Sequence, residues 1–450
     1  MNINAEELEI MTQFVHGLCI NDGRKFSNWG LSRSTQPAVY VEPISYADVQ
    51  AVVRNTAQFP TPVRPIGSML SVTETVINDG GTLLCTRKLD AILGLEVDDC
   101  GRQVVRVQAG CRLKKLNIWL QQQGWEIPFQ AEIGEATVGS VSVGDTKESS
   151  LDGPGYFSSH VVAILYIDEY GSLRILSDKQ DDAAFYEFTC SFGLSGIVVE
   201  CLIEVRPASL CRANVTLHAY SSPQALSDGI LQLREQCDAL LAVVILHQLA
   251  CFSEQRYRTD VTDAALNSSP LQCEQYRLAK RQAIQHGFDG SHLPQPQGIV
   301  FPRSDFVNEY WQPEEAENRL DFQYYEHDIG MFGRVIGESY RFTKSFEKNT
   351  GFVPTGWATY FVYRPEKERK PFGIYSGGSG ISCSFDPIYC NPNEPLWQRF
   401  AKEYNRVAID TLGGNASPIQ TQWLQPGDVS IPRKLARERF TSPYYQQFLV

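Results

Sequence analysis

The stretch Arg64-Pro65-Ile66-Gly67-Ser68-Met69-Leu70-Ser71 decides how this chain reads. Residues 61–65 have the text of a short strand and run into a turn of small residues at Gly67. Such a turn exposes successive backbone N–H groups, which can cradle a pyrophosphate. A second segment, Gly134-Glu135-Ala136-Thr137-Val138-Gly139-Ser140-Val141-Ser142-Val143-Gly144-Asp145, is rich in small residues and almost uncharged. It suits a segment lying flat against a bulky ligand. Ser191-Phe192-Gly193-Leu194-Ser195-Gly196-Ile197-Val198 is the third. None has the glycine spacing of a Rossmann turn or a P-loop, so both of those sites are poor readings.

Working outward, residues 38–41 read as a strand ended by Pro43, and Ser45 as the N-cap of a helix over 46–57,. Residues 103–109 alternate as a strand, and 113–123 form a helix stopped by Gly124,. Residues 161–167 and 173–176 flank the turn Glu169-Tyr170-Gly171 as a hairpin, and 196–205 is a further strand,. The first 25 residues carry helical periodicity. Strands and helices mix without strict alternation, which argues α+β. After Pro207 the text turns more helical up to about 300, for example over 223–237 and 271–285. Residues 300–350 are aromatic and loop-rich. Strands follow at 359–363 and 380–385, and a helix over 396–412 ends at Gly413-Gly414.

The 450 residues suggest two or three domains,. The net charge of −12, from 40 basic against 52 acidic residues, disfavours nucleic acid or an anionic membrane as partner,. Acids stand where a signal peptide needs cations, and the most apolar run, 239–246, is too short to span a bilayer, so the expected location is the cytoplasm,. The twelve cysteines are scattered and read as reduced core thiols, and no metal spacing appears,. His160, His247 and His327 are the histidines considered for catalysis, although a lone His is more often structural.

The landmarks in order are Trp29-Gly30, Pro37 to Pro43, Asp48 to Arg54, the Arg-Pro-Ile-Gly-Ser turn, Val107 to Cys111, Leu116 to Leu120, the Ala-Thr-Val-Gly-Ser segment, His160 to Tyr166 and Phe192 to Gly196. This series resembles the PCMH-type FAD-binding domain of the vanillyl-alcohol oxidase/p-cresol methylhydroxylase superfamily. The region from Phe400 to Trp423 looks more faintly like the sugar-alcohol and aldonolactone oxidase branch. With the N-terminal helix taken as 1–28, the resemblance implies a two-subdomain FAD-binding domain over 29–208, an α+β cap (substrate) domain over 209–412, and a segment over 413–450 returning to the FAD domain. Carried over by position, Pro65, Ile66, Gly67, Ser68, Met69, Leu70 and Ser71 would wrap the pyrophosphate and ribityl chain. Thr137, Gly139, Ser140, Val143 and Gly144 would line the flavin and its phosphates, and Gly196, Ile197 and Val198 would touch the cofactor through their backbone.

The departures are informative. Where many members carry a His that bonds covalently to the flavin, this chain has Leu70, which implies dissociable FAD; Cys111 stands too early for a cysteinyl link. The branch motif ending in a Lys is here Gln422-Trp423-Leu424-Gln425, and residues 359–364 offer no Glu-x-Arg pair. The replacements considered are Tyr360, Tyr363, Arg364 and Asp386, with Lys147 as a substitute cation. The expected function is an FAD-dependent oxidoreductase that passes a hydride from a small organic substrate to flavin N5, with oxygen or another acceptor reoxidising it. Tyr310, Trp311, Phe322, Tyr324, Tyr325 and Trp357 point to a bulky or aromatic substrate. Two other uses of the fold stay open: a non-redox cyclisation or binding role, and reduction of a carbon–carbon double bond.

Overall fold

A computed structural model describes residues 19–20, 23–129, 133–144, 146–259, 268–269, 271–273, 275–276, 299–302, 319–365 and 380–450. Most of the expected N-terminal helix, most of the helix expected over 271–285, and Asp145, Tyr310 and Trp311 lie outside the described residues.

The first sheet is built from β1 (Val39–Val41), β2 (Val63–Ile66) and β3 (Thr82–Cys85), with α1 (Tyr46–Arg54) packed against it. Ser45 caps α1 reciprocally. Its hydroxyl accepts from the Asp48 N–H at 3.2 Å, and its own N–H donates to the Asp48 carboxylate at 2.9 Å,. Val49, Val52 and Val53 then face inward onto Phe59, Val63 and Leu84. The four-stranded order is Cys19–Ile20, β1, β3, β2, with the last three parallel.

The second sheet contains β4 (Ile92–Val97) and β5 (Gln103–Gln108), followed by α2 (Leu113–Gln122), α3 (Val138–Val143) and β6 (Ser150–Pro154) outside it. It is completed by β7 (Val161–Ile167), β8 (Leu173–Ser177) and, after α4 (Asp182–Phe188), β9 (Ile197–Glu204). The five-stranded order is β8-β7-β9-β5-β4, antiparallel throughout. The β7–β8 hairpin is tied at its turn by Asp168, whose carboxylate accepts from the N–H groups of Tyr170 and Ser172 at 3.0 and 2.8 Å. Gly171 takes φ +72 there, a conformation that favours glycine,. Val105, Val107, Ile164 and Ile203 pack on Leu113, Leu116 and Leu120 of α2.

The rest of the chain centres on a large sheet. Its parts are β10 (Leu210–Ala219), α5 (Pro223–Arg234), β11 (Ala239–Ile245), β12 (Ala250–Thr259), β13 (Ile299–Pro302), β14 (Tyr325–Asp328), α6 (Phe332–Thr350), β15 (Gly356–Arg364), β16 (Gly380–Ser384), β17 (Asp386–Tyr389) and α7 (Pro395–Arg406). The path runs β13-β10-β12-β11-β15-β16-β14 to Asn415–Ala416, with β17 pairing β15 and Asp321–Phe322. Beneath it, α6 and α7 bury an aromatic core in which Trp357 stacks on Phe385 at 4.9 Å and meets Tyr404 edge-on,.

The helical expectation for 209–300 is corrected here. Within it, α5 forms as expected, but β10, β11 and β12 are long strands. The period of β12 is masked because charges lie inside the sheet. Glu254 and Arg256 of β12 are both buried, paired at 2.6 Å, and Tyr276 donates to the same carboxylate,.

The middle of the segment at 134–145, expected to lie flat against a ligand, coils into α3. Val138 and Val141 enter the core of the second sheet. Gly139 lies so close to β5's end that a Cβ there would stand 2.8 Å from Ala109 Cβ.

A strand pairing also joins the two halves of the chain. β6, which belongs to the N-terminal part, pairs in parallel with β15, with Ser150 opposite Val362 and Pro154 opposite Tyr363.

Candidate active site

A cavity of about 310 Å³ opens where the turn after β2, α3 and the start of β9 face the large sheet. Pro65, Ile66, Gly67, Ser68, Met69, Leu70 and Ser71 all line it. So do Thr137, Gly139, Ser140, Val143, Gly144, Gly196 and Val198. Ile197 does not. Strand alternation turns its side chain to the opposite face, where it is fully buried with Val41, Val49 and Leu84,.

The turn after β2 has the chemistry of an anion cradle. Met69 holds φ +55, a left-handed backbone. The backbone N–H groups from Gly67 to Ser71 donate to no other described group, so they remain open to a ligand. Gly67 is required here, because a Cβ would lie 2.2 Å from Thr137 Oγ1. Ser68 and Ser71 anchor the turn by donating to the carbonyls of Glu135 and Ile419, at 2.5 Å each. Behind it, the Arg64 guanidinium is buried and donates to the carbonyls of Phe440 at 3.0 Å and Phe192 at 3.1 Å while stacking on Tyr445. Burial pulls its pKa down. Leu70 presents only hydrocarbon, and Cys111 is fully buried outside the cavity with its thiol pushed up to about 12 by desolvation.

At the other end the large sheet supplies Leu320, Phe322, Tyr324, Ala358, Tyr360, Asp386 and Ile388. Lys147 reaches this wall from the N-terminal half. Its side chain is 6 % exposed, and Nζ lies 3.9 Å from Asp386 Oδ2, 3.0 Å from the Tyr324 ring centre and 5.1 Å from that of Tyr360. Nζ has no hydrogen-bond partner among the described residues, and neither has the Tyr324 hydroxyl. Burial lowers the Lys147 pKa to about 8 against the opposing pull of Asp386 and Glu326. Burial likewise raises Asp386 to about 7, opposed by Lys147 and by the Tyr325 N–H, which donates to it at 3.2 Å.

Two of the catalytic candidates fall elsewhere. Tyr363 lies on the outward face of β15, 38 % exposed, and does not line the cavity. Arg364 is buried behind it, 3.5 Å from Glu326, whose carboxylate also accepts from the Tyr156 hydroxyl. Alternation along β15 brings Tyr360 to the cavity and leaves Tyr363 outside. None of the three histidines lines the cavity; His160 faces the Pro154 carbonyl at 3.0 Å. Among the aromatic residues considered, Phe322 and Tyr324 do line it, whereas Tyr325 and Trp357 are core. Sequence reasoning missed Ile419, Gln420 and Tyr445, which lie in the weakly patterned C-terminal stretch and carry no local signal. Among the described residues no cluster of His, Cys, Asp and Glu could hold a metal, and no helix is long and apolar enough to cross a membrane.

A cradle of open backbone donors thus faces an apolar, aromatic-walled cavity. Residues 37–177 match the FAD binding domain family. The chain is 30 % identical to D-arabinono-1,4-lactone oxidase of Eremothecium gossypii over 184 residues, 41 % of this chain and 34 % of that protein. It is 23 % identical to L-gulonolactone oxidase of Bos taurus over 193 residues, 43 % and 42 % of the two chains. It is 25 % identical to the mitochondrial L-galactono-1,4-lactone dehydrogenase of Brassica oleracea over 179 residues, 40 % and 29 %. The chain spans about a third of the length of the first of these relatives. It therefore carries a PCMH-type FAD-binding domain, as found in the vanillyl-alcohol oxidase superfamily, and FAD is that domain's cofactor.

Proposed function

We propose that this protein is an FAD-dependent oxidoreductase that oxidises a hydroxyl-bearing carbon of a small organic molecule with a largely apolar or aromatic body. The observation that carries the proposal is the meeting, in one cavity, of the Gly67–Ser71 cradle with Asp386 and Tyr360 from the large sheet. When bound, FAD supplies the redox chemistry by accepting a hydride from a substrate C–H bond.

The residues of this chain have the remaining tasks. The open N–H groups of the cradle would hold the diphosphate, and Thr137, Gly139 and Ser140 would border the rest of the cofactor. Leu70 offers no bonding atom and Cys111 lies outside the cavity, so the cofactor would be held without a covalent link. Asp386, with a carboxyl poised near neutrality, would take the proton of the substrate hydroxyl; a base works best when its pKa lies near the working pH. Phe322, Tyr324, Tyr360 and Ile388 would exclude water and favour an apolar body over a polyhydroxylated one. In this reading the two N-terminal sheets are the two subdomains of the FAD-binding domain, residues 209–412 form the cap, and 413–450 return to the cofactor.

The test begins with an absorbance spectrum of the purified protein before and after denaturation and filtration. Flavin bands released into the filtrate are expected. Bands that stay on the protein would overturn the non-covalent assignment. Anaerobic mixing with aromatic and aliphatic alcohols should then bleach the flavin. Flavin that dithionite reduces, but no alcohol or lactone does, would overturn the redox assignment in favour of a binding role.

A further inference from the structure

The Lys147 ammonium is the largest unmet hydrogen-bonding demand in the cavity. A lysine carries three donors and no acceptor, and here none of them meets a described acceptor. The ring of Tyr324 faces it from 3.0 Å, which holds a cation but satisfies no N–H,. The Asp386 carboxylate, at 3.9 Å, is within ion-pair range but beyond hydrogen-bond distance,. The other charges nearby are drawn elsewhere, although Glu326 Oε1, in ion-pair range of Arg364, also has no hydrogen-bond partner among the described residues. Glu326 is 3.5 Å from Arg364 and accepts from Tyr156, and Glu148, which lines the cavity, has interactions of its own. Leaving a buried charge without hydrogen bonds is costly. The geometry therefore calls for an acceptor delivered by a bound molecule.

We propose that Lys147 is an oxyanion-binding residue, so that the cavity takes small molecules presenting an anionic oxygen, a carboxylate or an ionised hydroxyl, on an apolar or aromatic body. This rests on the reading of the cavity as a substrate site beside the flavin. The walls fit such a body. The rings of Tyr324 and Tyr360 face the ammonium, and Phe322, Leu320 and Ile388 line the same cavity with hydrocarbon and a ring. Asp386 fits as well, because burial raises its carboxyl to about 7. In its protonated form it would donate a second hydrogen bond to the same ligand oxygen rather than repel it.

The test uses the flavin-loaded protein and follows the visible flavin bands during titration with benzoate and with its neutral isostere benzamide. Benzoate is expected to perturb the bands and to bind at least tenfold more tightly than benzamide. Lys147→Met should weaken benzoate at least tenfold and leave benzamide unchanged, and Lys147→Arg should restore part of the loss. Asp386→Asn, which removes the neighbouring carboxylate but not the ammonium, should bind benzoate as tightly as the wild type or more so; this variant tests the idea even if Lys147→Met fails to fold. Equal benzoate affinity in Lys147→Met and wild type would overturn the proposal. So would a wild type that does not distinguish the two probes. Sulfite, which adds to oxidised flavin and leaves negative charge on it, separates the remaining possibility. Loss of sulfite affinity in Lys147→Met with benzoate untouched would show a cation serving the flavin instead, and would overturn the proposal. Absence of flavin bands even after adding FAD would sink the reading of the cavity and this inference with it, whereas flavin bands without benzoate discrimination sink this inference alone.

Discussion

The two walls of the cavity are made of different materials. On the N-terminal side the chemistry belongs to the backbone: a turn at Gly67 to Ser71 with open N–H groups, and a short helix pressed against Ala109. On the side of the large sheet it belongs to side chains: Asp386, Tyr324 and Tyr360, with Lys147 reaching across to them. A backbone site tolerates wide side-chain change as long as its glycines stay. A side-chain site can be emptied by a single substitution and rebuilt with other residues. The first kind suits a constant cofactor, and the second a variable substrate.

That contrast can be broken by experiment. The largest effect is expected from Gly67→Val, whose side chain would drive into Thr137. Purified protein should lose its flavin absorbance, with FAD affinity down on the order of a hundredfold, about 2.7 kcal/mol. A variant that purifies with full flavin would show that the cradle is not made by the backbone.

Asp386→Asn should keep FAD while slowing anaerobic flavin reduction by roughly 10²- to 10⁴-fold, the usual contribution of a general base. In the wild type the reduction rate should rise as pH rises through about 7, because the base acts when ionised, and this rise should vanish in the variant. Loss of FAD instead of rate would place Asp386 in the cofactor site.

A smaller effect concerns Asp321, whose carboxylate accepts from the Trp397 indole at 2.7 Å and from the Gln422 amide at 2.8 Å, joining the large sheet to the C-terminal stretch. Burial raises its pKa to about 6 from 3.8. A raised carboxyl contributes stability below the unfolded value and loses it as pH rises through the folded value. Asp321→Asn should therefore flatten the stability decline between about pH 4 and 6, read as melting temperature at each pH. An unchanged slope would remove Asp321 from the account. The smallest effect is expected from Tyr363→Ala on the outer face of β15: rates and FAD affinity within about twofold of wild type, since exposed positions away from special features change little. A tenfold drop in rate would return that residue to the site.

The same contrast explains what could be read in advance. The cradle was legible because backbone chemistry leaves punctuation in contiguous text, a glycine and a run of small residues after a strand. Gly139 and Gly196 were found for the same reason. The opposite wall was only half legible. Strand alternation puts Tyr360 and Tyr363 on opposite faces of β15, but which face meets a cavity is set by the packing of other strands, and Arg364 is drawn off by Glu326. Asp386 and Lys147 stand far apart in sequence, so no local pattern could pair them. β12 went unread because Glu254 and Arg256 neutralise each other inside the sheet and hide its period. Gln420 reaches the cavity from a turn and Tyr445 from a helix of only four residues, Pro443–Gln446, both too short to show a period.

The β6–β15 pairing has a mechanical consequence. Lys147 stands at the foot of a strap stitched to the large sheet at several points. Within the strap the Glu148 N–H donates to the Gly155 carbonyl; the Gly155 N–H then donates to the Tyr363 carbonyl at 2.9 Å, and Ser149 bonds the Leu240 backbone. Gly155 allows the approach, since a Cβ there would stand 2.6 Å from Val362. The cation is thus clamped to the strand that carries Tyr360, one strand from Asp386. Any breathing between the two halves of the molecule would carry these groups together as one stiff plate, so their spacing would hold.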